Sequence, residues 1–290
     1  MKHILSVDQF SREDIDAYCD LADDYAATRQ GYPANAGRGK ILANLFYEPS
    51  TRTSSSFYAA MIRLGGHVIP INNVQYSSVA KGETLEDTIR TMHCYADVIV
   101  LRHPQAGAAQ RAAVVAAVPI INAGDGDGEH PTQALLDFYT IRKELGTVEN
   151  IHVLMMGDLL RGRTVKSLAK LLRKYHVRIT WVSPDGLRIP PEYVARGEIE
   201  TADLAAVIPV ADVLYVTRVQ HERSGGGDWV YGVTPENMAR AKQRLVLMHP
   251  LPRLAELPVE LDDDPRAAYF RQMRHGLFMR MAILTHVLAR

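Results

Sequence analysis

The sequence predicts an α/β protein of two domains, each a mostly parallel sheet flanked by helices, with the active site in the interdomain cleft at the carboxyl ends of the strands. Two observations carry this. Apolar runs of strand length alternate with segments of helical spacing from Ile41 to Asn122, and the alternation resumes at Ile151. One long helical pattern, Pro131 to Leu145, joins the two series. A chain of 290 residues is long enough for two such domains.

Ser11 followed by Glu13 and Asp14 reads as a capped helix start, and Ile15, Tyr18, Leu21, Ala22 and Tyr25 recur at helical spacing behind it. Residues 31–39 read as a loop. A strand over 41–47 leads to a helix over 51–64, whose apolar face is placed at Phe57, Tyr58, Met61, Ile62 and Leu64. After Gly65-Gly66 come a strand over 67–71, a polar loop through Lys81-Gly82, a helix over 84–95 and a strand over 98–101. A helix over 106–117 and a strand over 119–122 complete the first series. Gly124-Asp125-Gly126-Asp127-Gly128 is expected to be flexible and outside any core. The second series runs through a strand over 151–158, a helix over 164–174, a strand over 177–182, a short helix near 191–196 and strands over 213–217 and 245–248. A helix from about Ala267 to Leu288 closes the chain. Gly225-Gly226-Gly227 reads as a loop tip.

Composition excludes several functions. Hydrophobic residues make up 47% and charged residues 23%, the profile of a soluble globular protein. Thirty-three basic residues balance thirty-three acidic ones, so no global field draws the chain to nucleic acid or to an anionic membrane. Cys19 and Cys94 form no metal-spaced pair and read as reduced thiols of a cytoplasmic protein. No signal peptide is visible, and the longest apolar run, 112–121, is broken by Pro119 and falls short of the roughly 20 residues a membrane span needs.

The richest stretch is Glu48-Pro49-Ser50-Thr51-Arg52-Thr53. Pro49 ends the strand before it, and Ser50 or Thr51 is a natural cap for the helix after it. Helix-start N–H groups, hydroxyls and the planar fork of Arg52 together suit a phosphate. Further polar clusters follow other strands or open helices: Arg102-His103-Pro104-Gln105, His130-Pro131-Thr132-Gln133, Arg161-Gly162-Arg163-Thr164, Thr217-Arg218-Val219-Gln220 and His249-Pro250-Leu251-Pro252-Arg253. Each alone reads more readily as a solvated loop Arg, a helix cap or a hydrogen-bonded core His. Their recurrence at strand ends points to a small, multiply anionic substrate held by Arg side chains. His93, His103, His130 and His249 show no metal-ligand spacing, and Met156-Gly157-Asp158 lacks the glycine pattern of a dinucleotide site. No metal or cofactor is expected.

Taken in order, these motifs resemble the aspartate/ornithine carbamoyltransferase family over nearly the whole chain, in its aspartate branch. Ser50-Thr51-Arg52-Thr53 is similar to the family's carbamoyl phosphate signature, and six further blocks follow in family order, starting with Lys81-Gly82-Glu83-Thr84. Arg218-Val219-Gln220 and the Pro250 of His249-Pro250-Leu251-Pro252 set the chain apart from the ornithine branch, where Cys is usual after the His. Arg163 and Arg218 also suit an acceptor with two carboxylates.

The resemblance implies a carbamoyl phosphate-binding domain over 1–132, completed by a C-terminal helix at about 272–290, and an aspartate-binding domain over 133–271. It implies attack of the aspartate amine on carbamoyl phosphate, early in pyrimidine synthesis. Ser50, Thr51, Arg52, Thr53, Ser77 and Arg102 would hold the donor. Thr53, Arg102 and His130 would meet the developing oxyanion, with the helix start lowering the His130 pKa. Gln133 and the carbonyls of Pro250 and Leu251, beside a cis Leu251–Pro252 bond, would hold the carbamoyl amide. Lys81, Arg163, Arg218 and Gln220 would bind aspartate. Glu48, Arg163 and Arg223 would steady domain closure. Lys81 and Ser77 reach a neighbouring subunit's site in the family, which implies a homotrimer with shared sites. A regulatory chain or another pyrimidine enzyme is a further partner the family allows. Two departures bear on closure and allosteric coupling: the short Gly225–Gly227 segment and Leu254-Ala255-Glu256-Leu257 in place of an acidic pair. A third departure is Ser54, where relatives often carry a second Arg. The reading from another class is a silent, regulatory relative, and the presence of Arg52, Lys81 and His130 argues against it.

Overall fold

A computed structural model describes residues 2–28, 35–72, 81–218 and 231–289. Ser77, Gln220, Arg223 and the Gly225–Gly227 segment lie outside the described residues. The chain divides into two compact units, one of residues 1–136 and 274–290 and one of residues 137–273.

The first unit holds a four-stranded parallel sheet in the order β2-β1-β3-β4, formed by β1 (Ile41–Phe46), β2 (His67–Ile71), β3 (Val98–His103) and β4 (Ile120–Asp125). β1 and β3 lie inside the sheet, which is why they read as unbroken apolar runs rather than alternating ones. Helices α1 (Arg12–Ala27), α2 (Thr51–Arg63), α3 (Leu85–Met92) and α4 (Ala108–Val115) accompany the strands. Ile4 pairs in parallel with Ile121, donating its N–H to Ile120 at 2.9 Å, and so covers the outer edge of β4. The buried face of α2 is narrower than its apolar spacing suggests. Phe57, Ala60 and Met61 are buried, whereas Tyr58 and Ile62 are exposed one step further round the helix.

The expectation of a flexible Gly124–Gly128 segment is overturned. β4 continues to Asp125, and Gly124, Asp125 and Gly126 are buried. The glycine serves close approach instead of motion, since a Cβ on Gly126 would stand 2.7 Å from the Pro104 carbonyl oxygen. The Asp125 carboxylate accepts N–H groups from Gly107 at 2.9 Å and Glu129 at 3.0 Å, and the Asn122 amide at 3.1 Å. It ties the end of β4 to the start of α4.

The second unit is a five-stranded parallel sheet in the order β7-β6-β5-β8-β9. Its strands are β5 (His152–Met156), β6 (Arg178–Val182), β7 (Ile199–Thr201), β8 (Val213–Val216) and β9 (Val246–Met248). Its helices are α6 (Arg163–Leu172), α7 (Leu204–Val207) and α8 (Pro235–Arg240). The element expected near 191–196 is a single 3₁₀ turn, Pro191–Tyr193. β7, α7 and α8 were not anticipated.

The chain passes from the first unit to the second within α5 (Pro131–Leu145) and returns within α9 (Tyr269–Leu288). The last turns of α9 belong to the first unit through specific contacts. The Tyr25 hydroxyl lies 2.6 Å from that of Thr285, the Tyr18 and His286 rings are 5.1 Å apart, and the Arg280 guanidinium stands 5.2 Å from the Phe57 ring.

Candidate active site

In the first unit, β1 ends at Phe46 and the chain turns through Tyr47–Ser50 into α2. Ser50 occupies the N-cap position with φ −158° and ψ 84°, but its side chain makes no capping hydrogen bond. The sequence expectation of a hydroxyl cap is corrected here. Helix formation rests on the backbone instead, with Ser54 N–H donating to the Ser50 carbonyl at 3.2 Å. Thr51 and Arg52 are exposed and Thr53 is buried. Ser54 faces inward: it accepts the Asn44 amide from the middle of β1 at 3.0 Å and donates to Asn72 after β2 at 2.8 Å. That contact satisfies the Asn44 amide nitrogen in an otherwise apolar strand, so Ser54 seats α2 on the sheet.

Parallel pairing of β1 with β3 sets Arg102 directly opposite Phe46. The Arg102 guanidinium is mostly buried and pairs with Glu48 at 3.3 Å, and it donates to the Ala123 carbonyl at 3.4 Å. Glu48 is thus engaged beside Arg102 within this unit. His103, the next residue, is held neutral: burial and then the charge of Arg111 lower its pKa, and its Nδ1 accepts the Gln105 N–H at 3.1 Å. His103 therefore supports the loop. His130 stands immediately before Pro131 at the start of α5, buried, with Nδ1 3.4 Å from the Thr132 hydroxyl. Its carbonyl accepts the N–H groups of Gln133 and Ala134, and Gln133 is itself buried. Lys81 is exposed just before α3.

In the second unit, Arg163 is the first residue of α6, and the preceding Gly162 supplies no side-chain cap. Arg218 follows the end of β8, partly exposed, next to the buried Thr217 whose N–H donates to the Met156 carbonyl at 2.8 Å. β9 ends one residue before His249, and the following Leu251–Pro252 bond is cis, as expected, with Leu251 at φ 57°. The His249 ring organises this turn. Its Nδ1 accepts the Leu251 N–H at 2.8 Å, which leaves Nε2 to carry the proton and donate to Glu256 at 3.0 Å. Glu256 also accepts the Leu254 N–H at 2.9 Å. Burial pushes the Glu256 carboxyl up, but these donors outweigh it and hold the pKa below its ordinary value. Glu256 thus keeps a structural acid in a stretch that lacks an acidic pair. Arg253, in the same turn, pairs with Asp262 and donates to the Tyr269 hydroxyl at 3.1 Å.

Sequence reasoning missed the buried polar residues behind these loops: Asp137, Tyr215 and Gln272. The available signal was a carboxylate at 137 inside a helix whose neighbours on every side are buried, a position that requires partners. Among the described residues no group of three or more His, Cys, Asp or Glu is arranged to hold a metal ion. No described helix is long and apolar enough to cross a membrane.

Two parallel-sheet units with Arg, Thr and His side chains at the strand ends and helix starts define a two-unit α/β protein whose strand ends are polar. "Aspartate/ornithine carbamoyltransferase, carbamoyl-P binding domain" matches residues 2–143, and the "Asp/Orn binding domain" of the same family matches residues 149–287. The chain belongs to the aspartate/ornithine carbamoyltransferase family. It is 48% identical over 297 residues to the chloroplastic aspartate carbamoyltransferase 3 of Pisum sativum, covering 97% of this chain and 76% of that protein. It is 49% identical over 304 residues to the multifunctional protein CAD of Squalus acanthias, where all of this chain spans 13% of that protein's length. The crystal structure of Trypanosoma cruzi aspartate transcarbamoylase in complex with carbamoyl phosphate and aspartate is 47% identical, with a TM-score of 0.91 over 99% of this chain and 96% of that one.

Proposed function

We infer that the chain transfers the carbamoyl group of carbamoyl phosphate to the amine of L-aspartate, giving N-carbamoyl-L-aspartate and phosphate. The observation that carries this is the near-full-length likeness to an aspartate transcarbamoylase crystallised with both substrates. The residue roles proposed here are those the family resemblance carries to these positions. Ser50, Thr51, Arg52 and Thr53 at the start of α2 take the phosphate, where N–H groups and the helix dipole favour an anion. Arg102, oriented by Glu48, reaches phosphate and carbonyl oxygen. As the amine nitrogen bonds to the carbonyl carbon, charge grows on that oxygen, and Thr53, Arg102 and His130 donate to it. The C–O bond to phosphate then breaks, and the departing phosphate accepts the amine proton. Gln133 and the carbonyls of Pro250 and Leu251 bind the carbamoyl amide, and the His249 ring fixes that turn. Arg163 and Arg218 grip the two aspartate carboxylates.

The reading includes Ser77, Gln220 and Arg223 in their family roles, and a cytoplasmic homotrimer in which Lys81 and Ser77 serve a neighbouring chain. Cys19 and Cys94 are both free thiols, which suits a reducing compartment. Association with other enzymes of pyrimidine synthesis is proposed from the multifunctional relatives. The deciding experiment is carbamoyl transfer by the purified chain, with aspartate and ornithine offered separately. Turnover with aspartate alone is expected, turnover with ornithine alone overturns the acceptor assignment, and sedimentation equilibrium reads the trimer.

A further inference from the structure

Four buried residues of the second unit, Asp137, Tyr215, Gln272 and His249, and the half-buried Thr164 form one hydrogen-bond chain that converges on the Asp137 carboxylate. The Tyr215 hydroxyl donates to Asp137 Oδ2 at 2.7 Å, and the Gln272 amide donates to Asp137 Oδ1 at 2.7 Å. Gln272 Oε1 in turn accepts the backbone N–H of His249 at 3.0 Å. On the other branch the Thr164 side chain is a hydrogen-bond donor to the Tyr215 oxygen, and burial and then the Asp137 charge raise the Tyr215 pKa well above its ordinary value. The phenol therefore keeps its proton and donates it.

The direction of every bond is fixed. A carboxylate only accepts and a backbone N–H only donates, so the Gln272 amide has one orientation between them. Asp137, Tyr215 and Gln272 are fully buried, so an unmet donor or acceptor in this chain is costly. The chain also ends where the reaction is handled. Thr164 follows Arg163 at the start of α6. Tyr215 lies on β8, three residues before Arg218. His249 opens the turn that presents the Pro250 and Leu251 carbonyls and, through Nδ1, holds the Leu251 N–H.

Resting on the carbamoyl transfer reading, we propose that Asp137 is a positioning residue that sets the two acceptor arginines through Tyr215 and the carbamoyl-holding turn through Gln272. It touches neither substrate. One carboxylate serves as the common reference for both halves of the acceptor unit's work, so a shift in either branch misplaces a different ligand group.

Two shape-conserving variants separate the branches. Tyr215→Phe removes the donor on the Arg163 and Arg218 side, and Gln272→Leu removes the link to the turn. Tyr215→Phe is expected to raise the aspartate KM about tenfold, the usual scale for a hydrogen bond to a buried charge, with kcat changed less than about threefold. Gln272→Leu is expected to lower kcat about tenfold on the same basis, with the aspartate KM changed less than about threefold. Both should bind inorganic phosphate as the unaltered protein does, because the phosphate residues lie in the first unit. Hydrogen exchange at the His249 and Leu251 amides should quicken in Gln272→Leu and stay unchanged in Tyr215→Phe. A role confined to stability would move neither KM nor kcat selectively. Unaltered kinetics in both folded variants, or unaltered exchange at His249 in Gln272→Leu, overturns the proposal. Should one variant fail to fold, Asp137→Asn replaces it, with loss at both branches expected and unchanged kinetics overturning the proposal. If the unaltered protein shows no transfer to aspartate, the functional reading has failed, and the exchange measurement still decides whether Asp137 holds the turn.

Discussion

Among the described helices, two kinds of start stand in contrast. α1, α3 and α8 begin on hydroxyl caps that do their local work: Ser11 accepts the Asp14 N–H at 3.1 Å, Thr84 the Asp87 N–H at 3.1 Å and Thr234 the Asn237 N–H at 3.2 Å. Each of these helices also carries an acid in its first turn, Glu13 and Asp14, Glu86 and Asp87, and Glu236. α2 and α6 begin at Ser50 and Gly162 with no side-chain cap and no acid in the first turn, and α5 has no acid there either. Their early positions carry Arg52 and Arg163 instead. α4 shows that this is not chance economy. It too lacks a side-chain cap and a first-turn acid, but the buried Asp125 reaches across to accept the Gly107 N–H at 2.9 Å. Scaffold helices have their positive ends answered by the protein's own carboxylates. On the proposed function the start of α2 receives an anion from outside. α6 stands between the two kinds, since the buried Asp158 accepts the Arg161 N–H at 3.1 Å in the turn before it. A cap-like sequence signature alone does not tell the kinds apart.

The strongest way to break this contrast is to remove the cation that completes the α2 start. Arg52→Ala is expected to lower turnover about 10³-fold, the upper range for losing one donor to developing charge. Thermal unfolding should be unchanged, because Arg52 is exposed. Near-normal turnover would sink the phosphate assignment. Next in size is the reverse experiment. Thr51→Glu gives α2 the first-turn acid that the scaffold helices have, and it should stabilise the helix by about 0.5 kcal/mol while raising the carbamoyl phosphate KM about tenfold. An unchanged KM would mean that the anion does not sit at this helix start.

A matched pair of hydroxyl deletions sharpens the contrast further. Ser11→Ala should cost about 1 kcal/mol in chemical denaturation and leave the kinetics alone. Ser50→Ala should cost no more than a few tenths of a kcal/mol, since no cap bond is lost, and raise the carbamoyl phosphate KM roughly fivefold, as loss of one hydrogen bond to an anion would. Equal stability losses in the two variants would show that Ser50 caps after all.

Much of this was legible in the sequence, for identifiable reasons. The interior strands β1, β3, β5 and β8 are buried on both faces, so their apolar runs are unbroken. The motifs at Arg52, Arg102, His130, Arg163 and Arg218 sit at strand ends and helix starts because parallel topology puts them there. β7 was hidden because it is three residues long, with Ile199 exposed between two glutamates. α8 did announce itself, in Thr234-Pro235-Glu236-Asn237, a cap with proline at the first helical position, but it is only six residues long. Glycine content misled at Gly124–Gly128, where it signals a close backbone approach. The Asp137 chain was beyond local reading, since its members lie at 137, 164, 215, 249 and 272 and meet only when the sheet is assembled.

The smallest expected effect is the dependence of the two kinds of helix start on acid. Glu13, in the first turn of α1, has its pKa lowered by a backbone N–H and then by Ser11. Glu236, in the first turn of α8, is lowered by Thr234 and then by a backbone N–H. A carboxyl whose folded pKa lies below its ordinary 4.5 contributes its full stabilisation above that value. The contribution is lost as pH falls through 4.5 and on through the lower folded value. Lowering the pH from 6 toward 3.5 should therefore fray the starts of α1 and α8 first, read as faster exchange at their first-turn amides after correction for intrinsic rates. The first turns of α2 and α6 hold no carboxylate, and these starts should keep their relative protection over the same range. If all four starts lost protection together, the acids would be bystanders, and the division into answered and unanswered helix ends would rest on the caps alone.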